Sequence, residues 1–374
     1  ALAQVKIGVS DWPGWVAWYV AEQKGYFKKH GADVKLVWFA NYTDSISALS
    51  AGQVDGNSQT WSDTMAPLAK GIALKTILVN DNSAGNDALM VGPKIKSFKD
   101  LKGKKIALEE FSVSHFLLTM ALNKNGMTLK DVQVVNLSAG DAAAAFMAGR
   151  VDAAVVWNPW VNTIQTSGKG KPLFTSKDVP GLVPDLLVVQ EKSLKAKRKD
   201  FVGMVKAWYD VEAFLRSNPD EAAKIMAKVV GLDAKEYKVF LPGTKFFDQK
   251  ANLQAFGPAT DPTSLLGAAP LPMDWPLARY SVGLKARWAS APPCQSVSLR
   301  TRCGHCWARP ERLLKLTRRV ARFGCSGSVS RADDSMRMAS GSLASGIRQP
   351  SVRQADSRPG RSSGKRFTMG PRRK

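Results

Sequence analysis

Tryptophans and carboxylates crowd the same few loops of this chain. Trp12 and Trp15 flank Pro13-Gly14 directly after the apolar run Val5–Ser10, with Asp11 beside them; Trp61 stands two residues before Asp63; Asp87 closes "NDNSAGND" (Asn80–Asp87); Glu109 and Glu110 open "EEFSVSHF"; Trp157 and Trp160 flank Asn158-Pro159. A guanidinium takes paired carboxylate bonds and stacks on aromatic faces, so this combination suits a small cation. These loops contain no Lys or Arg, and His115 is their one titratable cation. An oxyanion pocket recruits Arg or Lys, or else helix N-termini and hydroxyls. Ser112 and Ser114 fit a helix N-terminus and keep that second chemistry open.

Each residue has a plainer role to set against this. Asp11 can cap the following turn, and Asp63 is expected to cap its own helix. Trp18, three residues after Trp15, has the helical spacing of a core residue. Glu110 suits solvent, His115 a packed helix face, and Trp160 a cover over a hinge. The candidate ligand set is therefore Asp11, Trp12, Trp15, Trp61, Asp87, Glu109, Ser112, Ser114 and Trp157.

The elements that must position them alternate. "VKIGVS" reads as a strand, Val16–His30 as a helix stopped by Gly31, and "DVKLVWF" (Asp33–Phe39) as a second strand. A helix over Asp44–Ala51, a strand near Asp55–Gln59, a helix over Asp63–Lys70 and the strand Lys75–Asn80 follow. The order then restarts with a strand within Asp100–Glu110, a helix over Ser112–Asn125, a strand at Asp131–Leu137, a helix at Asp141–Gly149 and a strand at Val151–Trp157. Such alternation predicts an α/β fold with parallel sheets. "LLVVQ" from Leu186 returns toward the first half, and helices over Arg198–Arg216 and Pro219–Val230 follow, the second with Asn218 at its cap and Pro219 at its first position.

A nine-residue repeat supports two similar halves. "ALSAGQVDG" (Ala48–Gly56) and "AFMAGRVDA" (Ala145–Ala153) each place a helix end, a Gly stop and a Val-Asp pair before the next strand. The Gly supplies a left-handed helix end, and the Asp can accept backbone N–H groups at the turn. The expected organisation is two α/β lobes joined by two crossings, with a hinge and a cleft at the C-terminal strand ends, where open α/β sheets bind ligands. Residues 4–90 with 186–258 form the first lobe and 91–185 the second.

Four stretches resemble, in order and spacing, the substrate-binding proteins of nitrate/sulfonate/taurine-type (NitT/TauT) ABC importers. They are "AEQKGYFKKHGADVKLV" (Ala21–Val37), "ALSAGQVDG", "DLKGKKIAL" (Asp100–Leu108) and "AFMAGRVDAAVVWNPW" (Ala145–Trp160), and the likeness covers roughly residues 4–258. It implies a type II periplasmic-binding-protein fold, no catalysis, delivery of a small solute to permease subunits, and a monomer. Trp157 resembles a position at which the family often contacts ligand. "NDNSAGND" with "LEEFSVSHF" (Leu108–Phe116) is similar to the branch that accompanies urea and guanidine carboxylase genes. The ligand alternatives are a guanidinium- or urea-like solute, or nitrate, bicarbonate, taurine or another alkanesulfonate; a zwitterion such as taurine would use both the carboxylates and the serines.

An enzyme is a poorer fit. Pyrimidine-synthesis proteins of this fold use His and Cys near the cleft, whereas residues 1–258 hold only His30 and His115 and no Cys. No Ser-His-Asp order, phosphate loop or zinc-spaced set occurs there, so neither cofactor nor metal is expected. "ALAQ" at the start has the small-x-small pattern of a signal peptidase site, which with the Cys-free body predicts export to the periplasm with the leader removed. No apolar run approaches a membrane span.

The formal charge of +23 divides unevenly: +7 over residues 1–258 and +16 over 259–374. Beyond residue 258 Arg replaces Lys, all four cysteines appear, and the periodicity vanishes. Cys303-x-x-Cys306 with His305 on a basic flank could be read as a zinc module on nucleic acid, but only one close couple of ligands exists. A disordered basic tail is a second reading. Out-of-frame translation of a high-GC gene explains the composition best, so no nucleic-acid partner is expected. A foreign tail would leave the first lobe short of its last helices and exposed.

Overall fold

The structure, a computed structural model, describes residues 4–257 and Leu265. The cysteines, the Arg-rich tail and the small-x-small start lie outside the described residues. Eleven strands occur among those described: β1 (Val5–Val9), β2 (Val34–Trp38), β3 (Gly56–Thr60), β4 (Leu74–Ser83), β5 (Asp87–Val91), β6 (Lys105–Leu108), β7 (Gln133–Asn136), β8 (Ala153–Trp157), β9 (Lys171–Thr175), β10 (Pro184–Gln190) and β11 (Thr244–Phe246). They form two sheets, β11-β4-β10-β3-β1-β2 and β7-β6-β8-β5-β9. The chain passes from one to the other between β4 and β5 and returns between β9 and β10, giving two α/β lobes whose sheets divide a little earlier than the expected bounds of 91 and 186, at Asp87 and Pro184.

The sheets are mixed rather than wholly parallel. β1 pairs in parallel with β2 and β3, and β6 with β7 and β8. The returning strand β10 runs antiparallel to both β3 and β4, and β5 runs antiparallel to β8 and β9. A strand that enters the sheet directly from the other lobe, without a crossover helix, meets its neighbours head to tail.

The repeat has a physical basis. Gly52 and Gly149 end their helices at φ 76° and 71°, the left-handed region that favours glycine. Asp55 then accepts from Lys6 N at 2.9 Å, and Asp152 from Lys105 N at 2.9 Å. Each Asp thus reaches across to the parallel strand beside its own, β1 or β6, rather than back into the turn. Two lobes have solved the same corner with the same residues.

Two expectations need correction. The helix over Val16–His30 is three short helices, Pro13–Val16, Trp18–Gln23 and Tyr26–Lys29; Gly25 at φ 69° breaks the ladder between the second and third. Asn218 stands before helix Pro219–Val230 without capping it; its amide donates to Ser217 Oγ instead. The largest core lies beneath the first sheet, where Trp18 packs against Trp208 with centroids 4.8 Å apart and donates Nε1 to Ser58 Oγ at 3.2 Å. Trp18 is a core residue, as its spacing predicts.

Candidate functional site: a carboxylate and tryptophan cleft

Strand register assembles the cleft floor. In the first sheet Asp185 pairs with Thr60 on one side and Asp81 on the other. In the second sheet Asp87 pairs with Trp157. With Trp12, Trp15, Tyr42, Val113 and Val183, the residues Thr60, Asp87, Trp157 and Asp185 line a cavity of about 10 Å³. That is room for the centre of about one water. None of the lining residues is Lys or Arg.

The carboxyls of this floor are buried and lack partners. Asp87 Oδ2, Asp185 Oδ2 and Asp81 Oδ2 accept from no donor, although Asp81 Oδ1 accepts Trp12 Nε1 at 3.0 Å. Burial pushes Asp87 up to about 7, against a bond from Ser83 that lowers it. Burial pushes the adjacent Asp81 and Asp185 up as well; Asp81 raises Asp185 further, while the bond with Asp185 lowers Asp81. A proton shared between Asp81 and Asp185 satisfies both. Gly14 makes this possible: a Cβ there would lie 1.8 Å from Asp81 Oδ2.

Three further carboxylates bridge the lobes instead of facing the cavity. Asp11 accepts Trp157 Nε1 and Trp160 Nε1, both at 2.8 Å, and burial raises it to about 6 against these two bonds. Both its oxygens are therefore engaged by tryptophans of the second lobe. Asp63 is not the cap of its helix, which begins at Trp61; it accepts Val113 N at 3.1 Å and Ser62 Oγ at 2.7 Å, with burial raising it to about 6. Glu109 accepts Thr43 N at 2.8 Å, and burial raises it too. Asp11 and Glu109 also line an outer vestibule of about 390 Å³ with Asp141, Trp157 and Trp160, again without Lys or Arg.

The serines are engaged in holding the helix. Ser112 Oγ donates to Glu109 O at 2.7 Å and accepts Ser114 N at 3.2 Å, capping helix Val113–Lys124. Asp63 already occupies this helix N-terminus, so a second anion there would meet a buried carboxylate. Ser114 is buried and its hydroxyl has no partner, but it is not a cavity-lining residue. Trp61 packs against Met65 and Phe116, away from the cavity. His115 Nδ1 accepts Phe111 N at 3.3 Å, and burial lowers its pKa to about 4, so it stays neutral near pH 7.

Of the candidate residues, Trp12, Trp15, Asp87 and Trp157 come together around one cavity, Asp11 and Glu109 stand at its mouth, and Trp61, Ser112 and Ser114 stand apart. Tyr42, Thr60, Asp81, Val113, Val183 and Asp185 were not candidates. Asp81 had one local signal: "NDNS" continues an apolar strand with polar residues, which a buried strand does only where something pairs with them.

The model of the NMT1/THI5-like family matches residues 12–222, more than half of the chain. The chain belongs to the NMT1/THI5-like family. A Brucella abortus relative described as a binding protein is 31% identical over 243 residues, covering 61% of this chain and 72% of that one. The taurine-binding periplasmic protein of Escherichia coli is 29% identical over 199 residues, or 52% of this chain and 61% of that one. The crystal structure of the periplasmic aliphatic sulphonate binding protein SsuA from Escherichia coli aligns with a TM-score of 0.58 and 25% identity, covering 66% of this chain and 86% of that one. The resemblance carried by the four collinear motifs therefore holds, and so does the periplasmic-binding-protein fold. The three relatives just named are binding proteins.

Proposed function

We propose that this chain is the solute-binding component of an ABC importer, exported to the periplasm with its leader removed, and that it holds a small guanidinium-like cation between its lobes. The observation that carries the cation is Asp87: a buried carboxylate oxygen without a donor, on the wall of a cavity otherwise built from Trp12, Trp15, Tyr42 and Trp157. A cation there supplies the missing donors and stacks on the indoles. The acidic vestibule draws cations inward, while the surface of residues 1–258 is net positive at +7.

A cavity of about 10 Å³ admits a solute only if the lobes part and close again. The lobe-bridging bonds of Asp11, Asp63 and Glu109 re-form on closure. The closed chain would then present its solute to permease subunits as a monomer. A second reading, taurine, is favoured by the taurine-binding relative and by an ammonium that suits the carboxylates. Against it, the helix N-terminus that would receive a sulfonate already holds Asp63.

Thermal unfolding of the full chain with guanidinium, urea, taurine, nitrate or bicarbonate at matched ionic strength tests the proposal. A ligand at about 100 times its dissociation constant adds roughly 2.7 kcal/mol, a visible shift. A shift with guanidinium alone is expected. A shift with taurine or nitrate and none with guanidinium overturns the cation.

A further inference from the structure

The three tryptophans that line the cavity are not equivalent. Trp12 donates its indole N–H to Asp81 at 3.0 Å, and Trp157 donates to Asp11 at 2.8 Å. Trp15 is 2% exposed, and its Nε1 has no acceptor. Its ring is fixed against Tyr42, with centroids 4.9 Å apart, and against Trp12 at 6.4 Å. The Tyr42 hydroxyl accepts Thr60 N at 2.9 Å and does not bond the indole. A buried donor left unmade costs about 1–3 kcal/mol.

The wall therefore carries an inventory to be complemented: a carboxylate oxygen on Asp87 that lacks a donor, and one indole N–H that lacks an acceptor. Guanidinium itself meets only the first part, because its nitrogens all donate and none accepts. A sulfonate brings three charged acceptor oxygens where a single neutral donor waits, and sets them beside buried carboxyls. The group that fits is a single, uncharged acceptor on an otherwise donating cation.

Resting on the cation reading above, we propose that the ligand is a guanidinium- or amidinium-type cation bearing a neutral oxygen acceptor, and that Trp15 is the residue that selects it. The carboxyls hold the charged end and set the overall affinity. Trp15 discriminates among cations by hydrogen bonding to the acceptor. A site built to bond one polar group rejects the analogue lacking it, because the buried partner is then left unpaired.

N-hydroxyguanidinium and methylguanidinium test this directly, since they share one skeleton and differ by an oxygen in place of a methyl. Titration calorimetry of the full chain near pH 7 should show N-hydroxyguanidinium binding about tenfold more tightly, about one hydrogen bond's worth. In Trp15→Phe, which keeps an aromatic ring against Tyr42, that preference should vanish while methylguanidinium changes little. A hydroxyl that merely donated to Asp87 would keep its advantage in the variant, and that result overturns the role of Trp15. Equal affinities in the unaltered protein overturn the acceptor requirement while leaving the cation site intact, and need no variant to fold. Taurine bound with neither cation bound would overturn both proposals.

Discussion

Acidification should expel a bound cation from this cleft. Guanidinium stays charged across the working range, so pH acts on the protein alone. Burial lifts Asp87 to about 7, so below that pH its carboxyl holds a proton that an incoming cation must displace. Each pH unit below the pKa then costs 1.36 kcal/mol for each proton displaced. At pH 5 the loss for Asp87 alone is about 2.7 kcal/mol, or roughly 100-fold in dissociation constant. The proton between Asp81 and Asp185 steepens the loss if it leaves as well, because burial raises both carboxyls. Calorimetry with guanidinium from pH 8 to pH 5, in two buffers of different ionisation enthalpy, gives both the affinity and the number of protons released. A dissociation constant that stays flat across this range, or proton uptake on binding, refutes the reasoning.

Other consequences follow from the same geometry. Asp87→Asn should abolish guanidinium binding yet raise the melting temperature of the ligand-free chain at pH 8. The sign comes from linkage: a carboxyl whose folded value lies near 7, above its unfolded value near 3.8, stabilises the fold when protonated and loses that contribution as pH rises through 7. The unaltered chain should accordingly melt higher at pH 5 than at pH 8, and Asp87→Asn should reduce that difference without abolishing it, since Asp81, Asp185, Asp11 and Asp63 are raised too. Gly14→Ala puts a Cβ 1.8 Å from Asp81 Oδ2, and Trp12 holds that carboxyl from the other side. About 1–3 kcal/mol of stability should be lost, read by chemical denaturation, together with weaker cation binding. Asp55→Ala should cost more stability than Asp152→Ala despite the shared nine-residue repeat. Asp55 also bonds Lys197 Nζ at 2.8 Å and Ser193 Oγ at 2.7 Å, whereas the one ion pair of Asp152 among the described residues is the longer contact to Lys104 at 3.9 Å. Equal losses in denaturant would show that the two corners are energetically alike.

What was legible from the sequence is what local physics decides. Gly52 and Gly149 announce helix ends, and apolar runs between them announce strands, so the two lobes and the loops at their strand ends could be read. Tryptophans after Pro-Gly or before Asn-Pro could be placed at the cleft for the same reason. Asp81 and Asp185 could not be paired in advance, because only the antiparallel register of β10 on β4 sets them side by side. β5 escaped notice since "DALMV" is a short apolar run between turn residues, with no alternation to mark it as a strand. Asp63 misled because acids near a helix start generally cap it, whereas this helix begins two residues earlier and its Asp serves a different helix in the other lobe. Ser112 and Ser114 looked like an anion seat for the converse reason: nothing in their own segment shows that a carboxylate from elsewhere already sits there.

Asp11 has a consequence for timing. It belongs to the lobe of Trp12 and Trp15, yet it orients Trp157, which belongs to the facing wall, and braces Trp160 beside it. The opened chain thus offers two unfinished surfaces, neither of which grips a solute by itself. In the proposed function, capture would be a coincidence event, completed only when solute and both surfaces are present together. The same bonds would make discharge simple: a permease drawing the lobes apart would take Asp11 from the two indoles, and the wall would lose its orientation in the stroke that opens the exit. The solute would be released by dismantling the container rather than by being pulled from it.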